Sequence, residues 1–97
     1  MIIHTVAFKL IHPAGSEAER LFLEKGQGLA AVEGVQRFHS LRQVSPKNPY
    51  TFQFSMHFAD QAAYDAYNQH PAHVDFVQNV WLREVADFLE ADFVEMV

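Results

Sequence analysis

The 97-residue sequence predicts an α+β domain in the order β-α-β-β-α-β, an antiparallel four-stranded sheet carrying its helices on one face. Three observations lead to that class. Two segments, "IIHTVAFKL" and "YTFQFSMHF", alternate their side chains with the period of two that a strand requires. Two others pair a helix-start signal with apolar residues three and four apart. A chain of 97 residues with 49% hydrophobic content is long enough for one core and too short for two ordinary domains, so a single domain over residues 1–97 is expected.

In the first strand His4, Val6, Phe8 and Leu10 share one side, and Ile3, Thr5, Ala7 and Lys9 the other. Both sides are largely apolar, so both should be covered. After the loop "HPAG", Ser16 as N-cap and Glu19 three residues on form a capping box that starts a helix running to about Val32. Gly26 and Gly28 lie inside it, each costing roughly 1 kcal/mol relative to alanine. They mark either a frayed last turn or a place where space must be left open.

"EGV" turns the chain into a second strand, about residues 35 to 45, and "SPKNP" is a polar connector. In the third strand Tyr50, Phe52, Phe54, Met56 and Phe58 face one way and Thr51, Gln53, Ser55 and His57 the other. "DQAAYDAYNQ" follows as a helix with Asp60 as N-cap and Tyr64 and Tyr67 on one face. Pro71 suits the first turn of another helix, where a missing N–H costs nothing, and Phe76, Val77, Val80, Trp81 and Val85 then form its core stripe. "FLEADFVEMV" closes the chain as a fourth strand. The bare sheet face would show Ile3, Thr5, Ala7, Gln53, Ser55 and His57, too apolar in part for open water, which implies a symmetric homodimer with two sheets face to face.

Composition narrows the function classes. Net charge is −5 and there is no run of Lys or Arg, so no nucleic-acid partner is expected. No apolar stretch approaches the roughly 20 residues needed to span a bilayer. "MIIHTVAFKL" has a histidine and a lysine where a signal peptide needs its apolar centre, so a soluble, cytoplasmic protein is expected. The absence of cysteine removes disulfides, thiolate nucleophiles and zinc knuckles. The nine phenylalanines exceed what so small an interior readily receives, and some should line a cavity or a subunit interface.

With these landmarks the sequence resembles the stress-responsive A/B barrel (Dabb) domain family, small ferredoxin-like proteins that pair into a dimeric α+β barrel. The resemblance is carried by "HTVAFKL", "VEGVQRF", "YTFQFSMHF" and above all "AYDAYNQHPAHVDFV". The family includes a plant polyketide cyclase that closes a linear tetraketide thioester by aldol condensation with a tyrosine and a histidine. Carried over by position, the resemblance puts the catalytic histidine at His73, the catalytic tyrosine at Tyr67 and a first-strand pocket histidine at His4. The family cyclase's other pocket histidine falls on Phe52, which makes this pocket more apolar.

His73 should sit in the first turn of the helix begun by Pro71, where unpaired N–H groups and the helix dipole disfavour a positive charge. A neutral imidazole there could serve as general base, or simply fill space above Phe76 and Val77. Tyr67 could donate to an oxyanion, with Tyr64 a competitor on pattern alone. His4 could reach the same pocket or be a satisfied core group. Phe8, Phe52, Phe54, Phe76, Val77 and Trp81 are expected around a pocket for a small apolar or aromatic ligand. His70 and His73 lack a convergent carboxylate, so no metal is expected, and the His/Tyr mechanism calls for no cofactor. Two other readings stand beside it: a non-catalytic, stress-associated or ligand-binding module, and a cofactor-free monooxygenase acting on a phenol.

Overall fold

The computed structural model describes all 97 residues. It contains β1 (Ile2–Leu10), α1 (Glu17–Gln27) with a following 3-10 turn (Gly28–Ala31), β2 (Gln36–Arg42), β3 (Phe52–Phe58) and α2 (Gln61–Gln69). A third helix, α3 (Pro71–Phe76), continues through a π-helical turn (Val77–Trp81) into a last turn (Leu82–Glu84), and β4 (Val85–Phe93) ends the fold. The four strands form one sheet in the order β2-β3-β1-β4, each neighbouring pair antiparallel. This is the ferredoxin-like arrangement that the periodicities predict.

Each helix starts where its cap dictates. The Ser16 hydroxyl accepts from the Glu19 N–H at 3.2 Å, and Glu19 in turn accepts from the Gly15 N–H at 3.1 Å, one residue ahead of the usual reciprocal partner. The Asp60 carboxylate accepts from the Ala63 N–H at 2.8 Å. His70 caps α3 through Nδ1, which accepts from the Ala72 N–H at 3.1 Å.

Register decides which side chains meet the helices. His4 pairs with Met56 and with Asp92, Val6 with Phe54 and Glu90, and Phe8 with Phe52 and Phe88. On the helix-covered face the core is aromatic. Phe8 is fully buried against Phe54, Trp81 and Phe22, with ring centroids 4.8, 5.0 and 5.6 Å away. Burying side chains of this size contributes roughly 1.5–3 kcal/mol each. The opposite face carries Ile3, Thr5, Ala7, Gln53, Ser55 and His57, all partly exposed, joined by the more exposed Leu41, Leu89 and Phe93. His57 Nδ1 lies 3.2 Å from the Met1 sulfur.

The two glycines of the first helical segment have different causes. A Cβ on Gly26 would collide with the ring of Phe54, so the residue leaves space for that ring to lie under the helix. Gly28 has nothing within 4 Å of its would-be Cβ and opens the 3-10 turn in which the helix runs out at Val32.

The late part of the chain departs from expectation. Val85 does not close the helical stripe: it opens β4, paired with Leu10. The changeover is held by the Ile11 N–H donating to the Glu84 carbonyl at 2.9 Å and by His12 Nε2 against Glu84 Oε1 at 2.7 Å. Periodicity cannot see these bonds, because they join residues more than seventy positions apart. β4 therefore spans Val85–Phe93 rather than starting at residue 88, and β2 is shorter than expected at Gln36–Arg42. A bulge between Gln36 and His39, with Arg37 in the left-handed region at φ 49°, turns Phe38 inward to meet Phe54 at 5.4 Å. No helix is long and apolar enough to cross a membrane.

Candidate functional site

Between the covered face of the sheet and α3 with its π-helical turn lies a cavity of about 240 Å³. The sheet supplies His4, Val6, Phe54, Met56, Phe88 and Glu90; the helical layer supplies Leu29, Tyr67, His73, Phe76, Val77, Trp81 and Leu82. The π turn explains one part of that wall. Its wider turn, closed by bonds between residues five apart, brings such residues toward one side, so Phe76 with Trp81 and Val77 with Leu82 all face the same space. A shallower groove lined by Lys25, Gly28, Val32, Ala72, Asp75 and Val80 lies beyond Leu29 and Phe76, and none of the histidines reaches it.

His73, Tyr67 and His4 thus come together at one cavity, with Phe54, Phe76, Val77 and Trp81 around them. Phe8 and Phe52, expected in the same lining, lie outside it. Phe8 is sealed at the centre of the aromatic core, and Phe52 packs 5.7 Å from it at the end of β3, with the Arg42 guanidinium 5.2 Å over its ring. Phe52 therefore does not fill the cavity.

The hydrogen bonds of the two histidines specify what each can do. His73 Nδ1 lies 3.3 Å from the Asn68 carbonyl oxygen, which can only accept, so Nδ1 carries the proton and Nε2 keeps its lone pair. Burial holds the His73 imidazole below the ordinary histidine range, helped by the neighbouring His4 and His70 and opposed by the Asn68 carbonyl and Glu90. The ring is a neutral base near pH 7. Desolvation, rather than the helix dipole invoked from the sequence, is the leading cause.

His4 is 4% exposed, and its Nδ1 sits 2.6 Å from Asp92 Oδ1 and 3.0 Å from the Tyr64 hydroxyl. The Tyr64 O–H donates to Asp92 Oδ2 at 2.9 Å, which closes a three-residue ring of hydrogen bonds. Nδ1 is committed to that ring, leaving Nε2 as the free nitrogen of His4. Burial, then the Asp92 carboxylate, pushes the Tyr64 hydroxyl well above the ordinary phenol range, so it acts as a fixed donor.

Tyr67 differs from Tyr64 in one respect. It is 1% exposed, its hydroxyl has no hydrogen-bond partner within the chain, and no buried side-chain polar atom is left unpaired. The hydroxyl must therefore be the part of Tyr67 that meets the cavity. Burial also raises this phenol above its ordinary range, with smaller contributions from Tyr64 and Glu90, so it remains a proton donor at neutral pH. The Tyr67 and His73 rings are in contact, with centroids 4.3 Å apart.

Sequence reasoning overlooked Asp92, Tyr64 as its partner, Glu90 and Phe88. The alternation Phe88, Glu90, Asp92 in "FLEAD" could have put all three on one side of the last strand. Nothing local could have shown that this side meets His4.

Residues 2–95 match the family described as the stress responsive A/B barrel domain. The chain is similar to a Dabb family protein with a ferredoxin-like fold from Mesorhizobium loti, at 52% identity and a TM-score of 0.97, over 99% of this chain and 97% of that one. It shares its fold with a dimeric ferredoxin-like protein of unknown function from Jannaschia sp., at 24% identity and a TM-score of 0.74, covering 97% and 98% of the two chains. The hydroxynitrile lyase of Passiflora edulis has the same fold at 9% identity and a TM-score of 0.85, covering 99% and 94%. Comparison with the curated proteins finds no match.

Proposed function

Because the chain belongs to the stress responsive A/B barrel domain family, we propose that it is a homodimeric, cofactor-independent enzyme of the cyclase or lyase kind, acting on a small, largely apolar carbonyl compound. One observation carries the reading: an unpaired phenol and a neutral imidazole with a free lone pair, in contact with each other, open into the same apolar cavity.

The chemistry follows from those two groups. His73 Nε2 takes a proton from carbon next to the substrate carbonyl, and the C–H electron pair moves onto the carbonyl oxygen. Tyr67 donates its O–H to the enolate oxygen as charge develops there. The enolate carbon can then attack a second carbonyl, as in an aldol closure; in reverse, a carbon–carbon bond beside a hydroxyl breaks. His4, held by Asp92 and Tyr64, positions the substrate or a water through Nε2. The name of the Passiflora neighbour, a lyase, is consistent with such chemistry on this fold.

The homodimer reading is supported by the open sheet face, where Leu41, Leu89 and Phe93 are 44%, 59% and 52% exposed. A contiguous apolar surface of this kind on a small domain is the ordinary mark of a partner. The Jannaschia neighbour, described as dimeric, supports the same reading.

The test is deuterium exchange at the methyl group of acetophenone in D₂O, followed by proton NMR. Wild-type protein should give saturable exchange, His73→Ala should lose at least about 100-fold while keeping its fold, and Tyr67→Phe should be slowed. Exchange that is equal in wild type and His73→Ala would refute the assignment. Saturable binding of acetophenone without exchange would leave a ligand-binding module instead.

A further inference from the structure

Glu90 lies on β4 opposite Val6, between Phe88 and Asp92 on the helix-facing side of the strand. It is the only carboxylate lining the cavity, since the Asp92 carboxylate is occupied by His4 and Tyr64. Glu90 itself makes no ion pair and accepts no side-chain hydrogen bond. It is exposed, which puts it at the mouth, next to Phe88 and Leu82. An unpartnered negative charge thus stands at the rim of a mostly apolar space.

We propose that Glu90 selects the ligand by charge: the cavity favours molecules whose polar end is neutral or cationic, most of all one that carries a hydrogen-bond donor such as an alcohol, phenol or amine, and turns away carboxylates. This rests on the reading of the cavity as a ligand site and deepens it. Two further features favour the same class. Trp81 and Phe88 meet edge to face at 5.6 Å beside Glu90, and aromatic walls attract cationic heads and repel anionic ones. A small upward pull of Glu90 on both Tyr67 and His73, minor beside burial, agrees with a charge that faces those groups. An anionic substrate head would therefore meet like charge where it must pass, and a donor head would find its acceptor.

The experiment uses three probes of one shape, benzylamine, benzyl alcohol and benzoate, titrated against the fluorescence of Trp81, the only tryptophan of the chain. Wild-type protein should bind benzylamine and benzyl alcohol more tightly than benzoate. Glu90→Gln keeps the size of the side chain and should weaken benzylamine about 3-fold and strengthen benzoate about 3-fold, so that their ratio changes about 10-fold while benzyl alcohol moves little. Glu90→Arg should reverse the order of the two charged probes. An unchanged ratio in both variants, with the probes still binding, would overturn the role of Glu90 and leave the cavity reading intact. If no probe changes the fluorescence of Trp81 in wild type, the cavity reading fails and this assignment with it.

Discussion

Replacing Gly26 with alanine sets two effects against each other. In a helix interior alanine is better than glycine by about 1 kcal/mol. Against that, the new Cβ would overlap two carbons of the Phe54 ring. Phe54 is 1% exposed and fenced by Phe8 at 4.8 Å, Phe38 at 5.4 Å and Phe22 stacked at 6.4 Å, so it can retreat only toward the cavity whose wall it forms. Overpacking of this kind costs about 1–3 kcal/mol, and an overlap with a caged ring belongs in the upper half of that range. The net expectation for Gly26→Ala is a loss of about 1–2 kcal/mol, or about 5–15 °C in Tm for a domain of this size. Gly28→Ala is the control, because nothing lies within 4 Å of its would-be Cβ and its φ of −60° is helical. That variant should gain about 0.5–1 kcal/mol. Urea unfolding of the two variants beside wild type gives both numbers. A Gly26→Ala protein as stable as wild type would refute the argument that this glycine exists to admit Phe54.

Three other outcomes follow from the same structure. Because the folded His73 binds its proton less readily than an unfolded histidine does, it contributes stability that is fully present above about pH 6.5 and lost as pH falls through its lower folded value. Urea midpoints should therefore drop less between pH 7 and pH 5 in His73→Gln than in wild type. Asp92→Asn removes the charge that holds His4 Nδ1 and the Tyr64 hydroxyl; with Asp92 partly exposed, the cost should be about 1 kcal/mol, and the His4 imidazole NMR signals should broaden as the ring loses its fixed orientation. Leu89→Lys puts a charge opposite Ala7 in the middle of the open sheet face and should give a monomer by sedimentation equilibrium; an intact dimer would move the interface elsewhere.

How much of this was legible beforehand differs from element to element. "YTFQFSMHF" showed its buried face, and Phe52, Phe54, Met56 and Phe58 are all buried as the alternation requires, while Tyr50, expected on the same face, lies ahead of the strand and is half-buried. The helix starts after Ser16 and Asp60 and at Pro71 were readable because such signals are a matter of three or four consecutive residues. The end of the last helix was not, because Val85 satisfies a helical stripe equally well and is claimed by strand pairing with Leu10. The association of His4, Tyr67 and His73 rested on resemblance, since no local pattern relates a first-strand histidine to a residue seventy positions later.

The sequence by itself determined the order of strands and helices, the buried faces of β1 and β3 and the starts of the helices, because those depend on periods of 2 and 3.6 residues and on short-range hydrogen bonds. Only the tertiary structure decided that Asp92 and Tyr64 close on His4, that Glu90 stands at the cavity mouth, and that Phe8 and Phe52 belong to solid core. A cavity is volume left unfilled when a helical layer settles on a sheet, and its lining depends on register between strands at opposite ends of the chain and on a π turn that shifts one helix wall. Those quantities are set by the sum of long-range packing, which no window of neighbouring residues contains.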